Sequence, residues 1–177
     1  MEAAAILRAQ GLVPPLLVFT GAMTPFSLRV LERAVALNVS DCIRWAGYIT
    51  QRDLVVLYHL ARGAVVPTKF EAASAPVWEA FAHGCPVACS NVTSLPSQTD
   101  GGAILFDPAN SGDIAQAMFR LWSEAPLRDQ LAARGREVVA RHTWESVVRR
   151  FGVLYRKAAG RPLSEADAML LATGPAV

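Results

Sequence analysis

The segment PTKFEAASAPVWEAFAHGCPVACSNVTSLP, residues 67–96, decides how this chain is read. Two glutamates, Glu71 and Glu79, stand in it with seven residues between them, in surroundings otherwise small and apolar. Pro67 closes the apolar run GAVVP (63–67), so residues 68–75 form a loop beyond the end of a strand. Pro76 suits the first turn of a helix, where the N–H it lacks would have no partner anyway. Ser74 stands where a helix cap belongs. Glu71 therefore falls in the loop, and Glu79 about one turn into the helix that follows.

Outward from this segment, short β-branched runs alternate with helical patterns. Strands are expected at 15–21 (PLLVFTG), 43–49 (IRWAGYI), 63–67, 85–90 (CPVACS) and 103–107 (AILFD), with helices at 28–37 and 52–61 between them. Such alternation implies βαβ units, hence a Rossmann-like α/β fold: a parallel sheet with helices on both faces. The last third is all helix. Ser111 is the expected cap of a helix over 111–124, whose inner face carries Ile114, Ala117, Met118, Leu121 and Trp122. Pro126 opens the next helix. Thr143 caps a longer one, whose apolar residues Trp144, Val147, Val148, Phe151, Leu154, Tyr155 and Ala158 follow helical spacing, with Trp144 read as core. A short tail helix runs from Ser164 to Ala172.

Composition excludes several classes. A length of 177 residues is the size of one domain with a substantial core. At 53% apolar the chain is rich in hydrophobic residues, yet no unbroken stretch is long enough to cross a bilayer. Glu2 stands where a secretory leader would be basic, and Arg8, Gln10, Pro14 and Pro15 interrupt the apolar run. A net charge of +2 and the lack of an aromatic stacking platform give no support for nucleic-acid binding. Cys42, Cys85 and Cys89 lack the spacing of a zinc site or a disulfide framework, and read as small buried thiols of a reduced, cytoplasmic protein. No GxGxxG follows any strand, which argues against a nicotinamide dehydrogenase.

Two readings of the glutamates stand on physical grounds. In the bland one, Glu71 is a solvated loop carboxylate and Glu79 complements the helix dipole, for about 0.3–1 kcal/mol. In the sharper one, the positively polarised helix tip holds a phosphate. The carboxylates would repel that phosphate but accept hydrogen bonds from hydroxyls on either side of it. Hydroxyl-bearing groups flanking a phosphate linkage describe a sugar nucleotide, with ribose on one side and hexose on the other.

The wider segment resembles the signature of the retaining GT-B glycosyltransferases of family 4, also called group 1 glycosyltransferases. That pattern is a strand ending in Pro-Ser, an aromatic residue, Glu, seven residues, Glu-Ala, a small residue, Gly, a small residue and Pro-Val. Pro67, Phe70, Glu71, Pro76, Glu79, Ala80, Gly84, Pro86 and Val87 match in order. The likeness continues through FTG (19–21), IRWAGYI (43–49), LFDP (105–108), LR (127–128) and TWE (143–145). It resembles the C-terminal, nucleotide-sugar-binding domain of that family, over residues 1–160, incomplete at its N-terminus and followed by a tail over 161–177.

The resemblance implies roles residue by residue. Glu71 would contact hydroxyls of the donor sugar and stand at the catalytic position. Glu79 would hold the ribose. Backbone N–H groups of Ser74, Ala75 and Val77 would meet the diphosphate, Pro76 having none. Ile49 and Gln51 would face the base, with core packing the alternative for Ile49. The implied reaction moves a hexose from a nucleoside diphosphate to an acceptor hydroxyl with retention, in polysaccharide or glycoconjugate synthesis. The donor is a substrate; no cofactor or metal is implied, and no metal cluster is evident in the sequence. Relatives often serve lipid-linked acceptors, so the late basic residues are either a solvated helix face or a contact with the inner face of the membrane.

There are departures. Ala72, Ala73 and Ser74 replace the family's Gly-Phe-Gly, so the loop must use ordinary backbone angles. Ser97 stands where Glu often follows Leu-Pro. The resemblance also implies an N-terminal domain with the acceptor site, and a first strand whose following loop carries a basic pair; residues 1–11 look like the end of the helix after that strand. In the doubly wound order the absent strand is central, so the strands at 15–20 and 63–67 must pair directly or leave backbone groups unpaired. The alternative reading is therefore a non-catalytic truncated or split-gene module that needs a separate N-terminal domain. A nucleotide-sugar epimerase of the same fold is a weaker alternative.

Overall fold

The structure, a computed structural model, describes residues 1–172. Helix α1 (Glu2–Ala9) leads into β1 (Leu17–Thr20), and α2 (Pro25–Ala36) returns to β2 (Ile43–Gly47). The alternation continues through α3 (Gln51–Leu60), β3 (Ala64–Val66), α4 (Ala75–Ala82), β4 (Val87–Ser90), α5 (Leu95–Thr99) and β5 (Ala103–Phe106). Helices α6 (Ser111–Ser123), α7 (Ala125–Ala140), α8 (Trp144–Ala158) and α9 (Glu165–Ala172) make up the rest. This is the expected α/β class, with every paired strand parallel.

Caps decide where the helices start. Thr24 Oγ1 accepts the Ser27 N–H at 3.2 Å, and Ser27 Oγ accepts the Thr24 N–H at 3.2 Å. That reciprocal pair, with Pro25 in the first turn, starts α2 three residues before the position 28 that apolar spacing indicates. Asn110, not Ser111, caps α6: its Oδ1 accepts from Gly112 and Asp113 N–H at 2.9 and 3.3 Å. Thr143 caps α8 through the Ser146 N–H at 3.2 Å. Helix α5, five residues long, has no counterpart in the sequence reading, because so short a run shows no period.

The strands do not form one sheet. β1 pairs only with β2, while β3, β4 and β5 form a second sheet in that order. β1 and β3 do not pair with each other, so the expected single sheet is two half-sheets. What spans the break is apolar packing rather than backbone pairing. Leu17 of β1 and Val65 of β3 both rest on the cluster of Ala3, Leu7, Ala115 and Met118, supplied by α1 and α6. Exposure records the open strip: β4 is buried at all four positions, β3 is half-buried throughout, and Val18 of β1 is 45% exposed. Helix α3, which connects the half-sheets, buries none of its residues fully and leaves Val56 and Leu60 exposed.

The larger half-sheet carries most of the core. On one face Val87 and Cys89 meet Val77 and Phe81 of α4 and Val138 of α7. On the other, Ala88 and Phe106 meet Ala117 and Leu121 of α6 and Leu131 of α7. β4 is apolar without alternation because both its faces are covered. All three cysteines are free and buried, and burial raises the Cys85 thiol to about 11 and the Cys89 thiol to about 12.

The C-terminal helices depart from expectation. Of α8 only Val153 is fully buried, and it was not among the residues assigned to the apolar face. Trp144, read as core, is 83% exposed, and Val148, Phe151, Leu154 and Tyr155 are exposed too. The stripe exists but is left largely exposed, and α8 packs beside α9, to which an Arg156–Asp167 ion pair at 2.7 Å joins it. Trp122 of α6 likewise lies at the surface, its ring beneath the Arg62 guanidinium at 4.3 Å. The last positions of the expected tail, 173–177, lie outside the described residues. Among the described residues no helix is long and apolar enough to cross a membrane.

Gly135 of α7 faces Phe81, and a Cβ there would lie 2.6 Å from Phe81 Cδ1 and 3.0 Å from Cε1. Replacing a mid-helix glycine normally stabilises by about 1 kcal/mol, but overpacking a closed core costs about 1–3 kcal/mol. Phe81 is 1% exposed, so its ring would have to shift inside a closed core. Gly135→Ala should therefore lower the unfolding free energy in urea by up to about 2 kcal/mol, and a higher midpoint contradicts this packing. The raised thiols predict that a cysteine-selective reagent labels the native chain slowly and all three cysteines rapidly once denatured; fast native labelling of Cys85 or Cys89 contradicts their burial.

Candidate functional site

The loop after β3 is held from outside by the segment after β4. Ser94 Oγ lies 2.6 Å from the Ala72 carbonyl and 3.3 Å from the Glu71 carbonyl, which also accepts from Thr93 Oγ1. One helical turn on, Gln98 grips Ser74 by both main-chain groups. Its Oε1 accepts the Ser74 N–H at 2.9 Å and its Nε2 donates to the Ser74 carbonyl at 2.8 Å. Gln98 is 1% exposed and Ser74 0%, so both bonds are shielded from water. A loop without the flexible glycines of the family pattern is thereby set by four neighbouring polar side-chain atoms.

Ser74 precedes the first turn of α4 as expected, but its side chain does not cap the helix. Its Oγ is buried and has no hydrogen-bond partner, and its N–H is committed to Gln98. The first helical bond runs from the Trp78 N–H to the Ser74 carbonyl at 3.3 Å. Helix geometry therefore leaves the N–H groups of Ala75 and Val77 without acceptors inside α4. Pro76 supplies none. Ala75 and Pro76 are exposed, and the Val77 side chain is buried in the core.

Both glutamates are half-buried. Glu79 has a defined partner: Tyr58 of α3 donates its hydroxyl to Glu79 Oε2 at 3.0 Å, and the Pro76 carbonyl lies 3.4 Å from that Tyr58 hydroxyl oxygen. Burial first, and the adjacent Glu79 second, push the Tyr58 phenol well above its ordinary value, so it is a protonated donor at neutral pH. The Tyr58 ring stacks on His83 at 6.0 Å, and His59 meets His83 edge-on at 5.3 Å. His83 is thus part of a ring stack between α3 and α4.

Ile49 and Gln51 lie apart from this group. With Thr20, Gly21, Tyr48 and Leu54 they line an open concavity of about 240 Å³ at the carboxyl ends of β1 and β2. That concavity includes neither Glu71 nor Glu79. The expected site residues thus stand on the carboxyl rims of two different half-sheets, where ligands of open parallel sheets bind. Helix α3 links them, beginning at Gln51 and carrying Tyr58.

Sequence reasoning missed Tyr58, Thr93, Ser94 and Gln98. Nothing local marked Gln98: α5 is too short to show a period, and the residue it grips lies 24 positions away. Among the late basic residues, Arg134 and Arg141 both pair with Asp100, at 2.8 and 2.6 Å. Those contacts, the Arg141 hydrogen bond first, hold Asp100 below the usual carboxylate range.

Comparison with known proteins bears on this geometry. O-antigen chain mannosyltransferase B of Escherichia coli is 35% identical over 104 residues, which is 59% of this chain and 27% of that protein. D-inositol 3-phosphate glycosyltransferase of Thermobifida fusca is 30% identical over 141 residues, 78% of this chain and 32% of that protein. The chain therefore spans less than a third of either. Among solved structures, sucrose-phosphate synthase from Thermosynechococcus elongatus superposes with a TM-score of 0.74 at 28% identity, over 90% of this chain and 42% of that one. The C-terminal domain of a group 1 glycosyl transferase (LpcC) from Francisella tularensis shares the fold, with a TM-score of 0.66 at 24% identity over 78% of this chain and 74% of that one. The family model for glycosyl transferases group 1 matches residues 1–138, from α1 through most of α7. With that match over most of its length, this chain belongs to the group 1 glycosyl transferases.

Proposed function

We propose that this chain is the donor-binding half of a retaining family 4 hexosyltransferase, acting in polysaccharide or glycoconjugate synthesis. The observation that carries the reading is the start of α4. There, Ala75 and Val77 keep main-chain N–H groups without helical acceptors, on a loop clamped by Gln98, with Glu71 before and Glu79 after. A nucleoside diphosphate sugar suits that arrangement. Its diphosphate meets the two N–H groups and the positive end of the helix. Glu79 accepts from the ribose and Glu71 from the hexose, while Ile49 and Gln51 line the concavity proposed for the base.

The chemistry asked of this half is modest. As the glycosidic bond breaks, negative charge gathers on the departing diphosphate, and N–H groups already aimed at it stabilise that charge more in the transition state than before it. Glu71 would orient the sugar. The mannosyl and inositol-phosphate glycosyl relatives support hexosyl transfer as the class of reaction. The acceptor hydroxyl, and the face that presents it, belong to a second domain in this proposal, and the site of action is the cytoplasm or the inner face of the membrane.

A second reading rests on the open sheet. Unpaired inner edges on β1 and β3, and an α3 that buries none of its residues fully, fit a module that works only when a separate N-terminal glycosyltransferase domain is joined to it.

Calorimetry of the full chain against UDP-, GDP- and ADP-sugars tests the first reading. One nucleotide series should bind, and Glu79→Ala should weaken it about tenfold, roughly 1.4 kcal/mol, whereas Glu71→Ala should chiefly erase discrimination among sugars. No binding at millimolar ligand, or identical affinities in both variants, sinks these roles. For the second reading, amides of β1 and β3 should exchange with deuterium faster than those of β4 in the isolated chain. Coexpression with an N-terminal domain should slow them and restore transfer; equal protection of all three strands in the isolated chain removes the basis for it.

A further inference from the structure

We infer that Tyr58 is a positioning residue for Glu79: its hydroxyl holds the carboxylate in the orientation that grips the two vicinal hydroxyls of a donor ribose, an inference that rests on the donor reading proposed above. A free glutamate side chain at the start of a helix samples many rotamers, and binding through it must first order it. Glu79 is ordered in advance. The Tyr58 hydroxyl reaches Oε2 at 3.0 Å from the α3 side, and its own position is set on three sides. The ring is packed against the core cluster containing Phe81 and Cys85, it stacks on His83 at 6.0 Å, and the Pro76 carbonyl lies 3.4 Å from its oxygen.

An ionised carboxylate offers about four acceptor positions, two on each oxygen. Tyr58 occupies one on Oε2. The second position on Oε2 and both on Oε1 stay open for a pair of adjacent hydroxyls. The phenol remains protonated at neutral pH, so it donates and does not compete for the ribose protons. A ring tether between α3 and α4 would need only the aromatic face. Aiming the hydroxyl at the carboxylate serves Glu79 in particular.

Tyr58→Phe separates the two roles, because it keeps the ring contacts and deletes one oxygen. The readout is calorimetric affinity of the full chain for uridine, guanosine and adenosine diphosphates and for their 2′-deoxy counterparts, with thermal midpoints in parallel. For the base that binds, the substitution should weaken the ribonucleotide about five- to tenfold and the 2′-deoxynucleotide less than twofold, roughly the net reach of one ordinary hydrogen bond. Preference for the ribose form should fall accordingly, with little change in midpoint. An unchanged preference in Tyr58→Phe, while Glu79→Gln abolishes it, overturns the role of Tyr58 alone and leaves a structural tether. An unchanged preference in Glu79→Gln overturns the ribose role of Glu79, and with it the reading on which this inference stands.

Discussion

Two hydrogen bonds between one buried amide and one main-chain residue settle where α4 begins. Gln98 holds the N–H and the carbonyl of Ser74, and with them the junction between the loop of Glu71 and the helix of Glu79. A side-chain amide in this role imitates a neighbouring strand, with donor and acceptor facing acceptor and donor. In a site closed to water, losing either bond would leave a buried polar group unsatisfied, at about 1–3 kcal/mol. The polarised helix tip, the direction of the free N–H groups and the separation of the two carboxylates all follow from that junction. Thr93 and Ser94 extend the same support to the carbonyls of Glu71 and Ala72.

The second constraint is what is not paired. Two parallel half-sheets lie on a shared apolar floor of α1 and α6, yet their inner strands make no ladder with one another. Hydrophobic burial is non-directional and can bridge such a break, whereas backbone hydrogen bonds cannot. The consequence reaches the candidate site, because the concavity lined by Ile49 and Gln51 stands on one half-sheet and the loop of Glu71 on the other. Between them runs α3, whose Tyr58 meets Glu79. One helix therefore joins the two regions that a nucleotide sugar would touch in the proposed donor reading.

Much of this was legible in the chain itself. The α/β alternation, the Pro-Ser-type strand end at Pro67, the helix opening at Pro76 and the cap at Thr143 are local signals, each resting on backbone chemistry that a few residues carry. Ser111 failed as a cap because the adjacent Asn110 competes for the same N–H groups and reaches them. Trp144 failed as core because periodicity reveals that a helix has an apolar stripe, not that anything covers it. Helix α5 escaped notice because five residues are too few to show a period.

The order of the main elements, the parallel class of the fold and the two glutamates on either side of a proline-started helix tip were determined by the sequence alone, since each depends on residues near one another along the chain. Tertiary structure decided which polar groups are spent and which remain available. Gln98 takes the N–H of Ser74 and leaves those of Ala75 and Val77; Tyr58 engages Glu79 from another helix; and the sheet divides between β1 and β3. These outcomes depend on contacts between residues 21 to 24 positions apart, or on a ladder that never forms. Local propensity carries no information about such partners, because their meeting is set by how the helices and half-sheets pack.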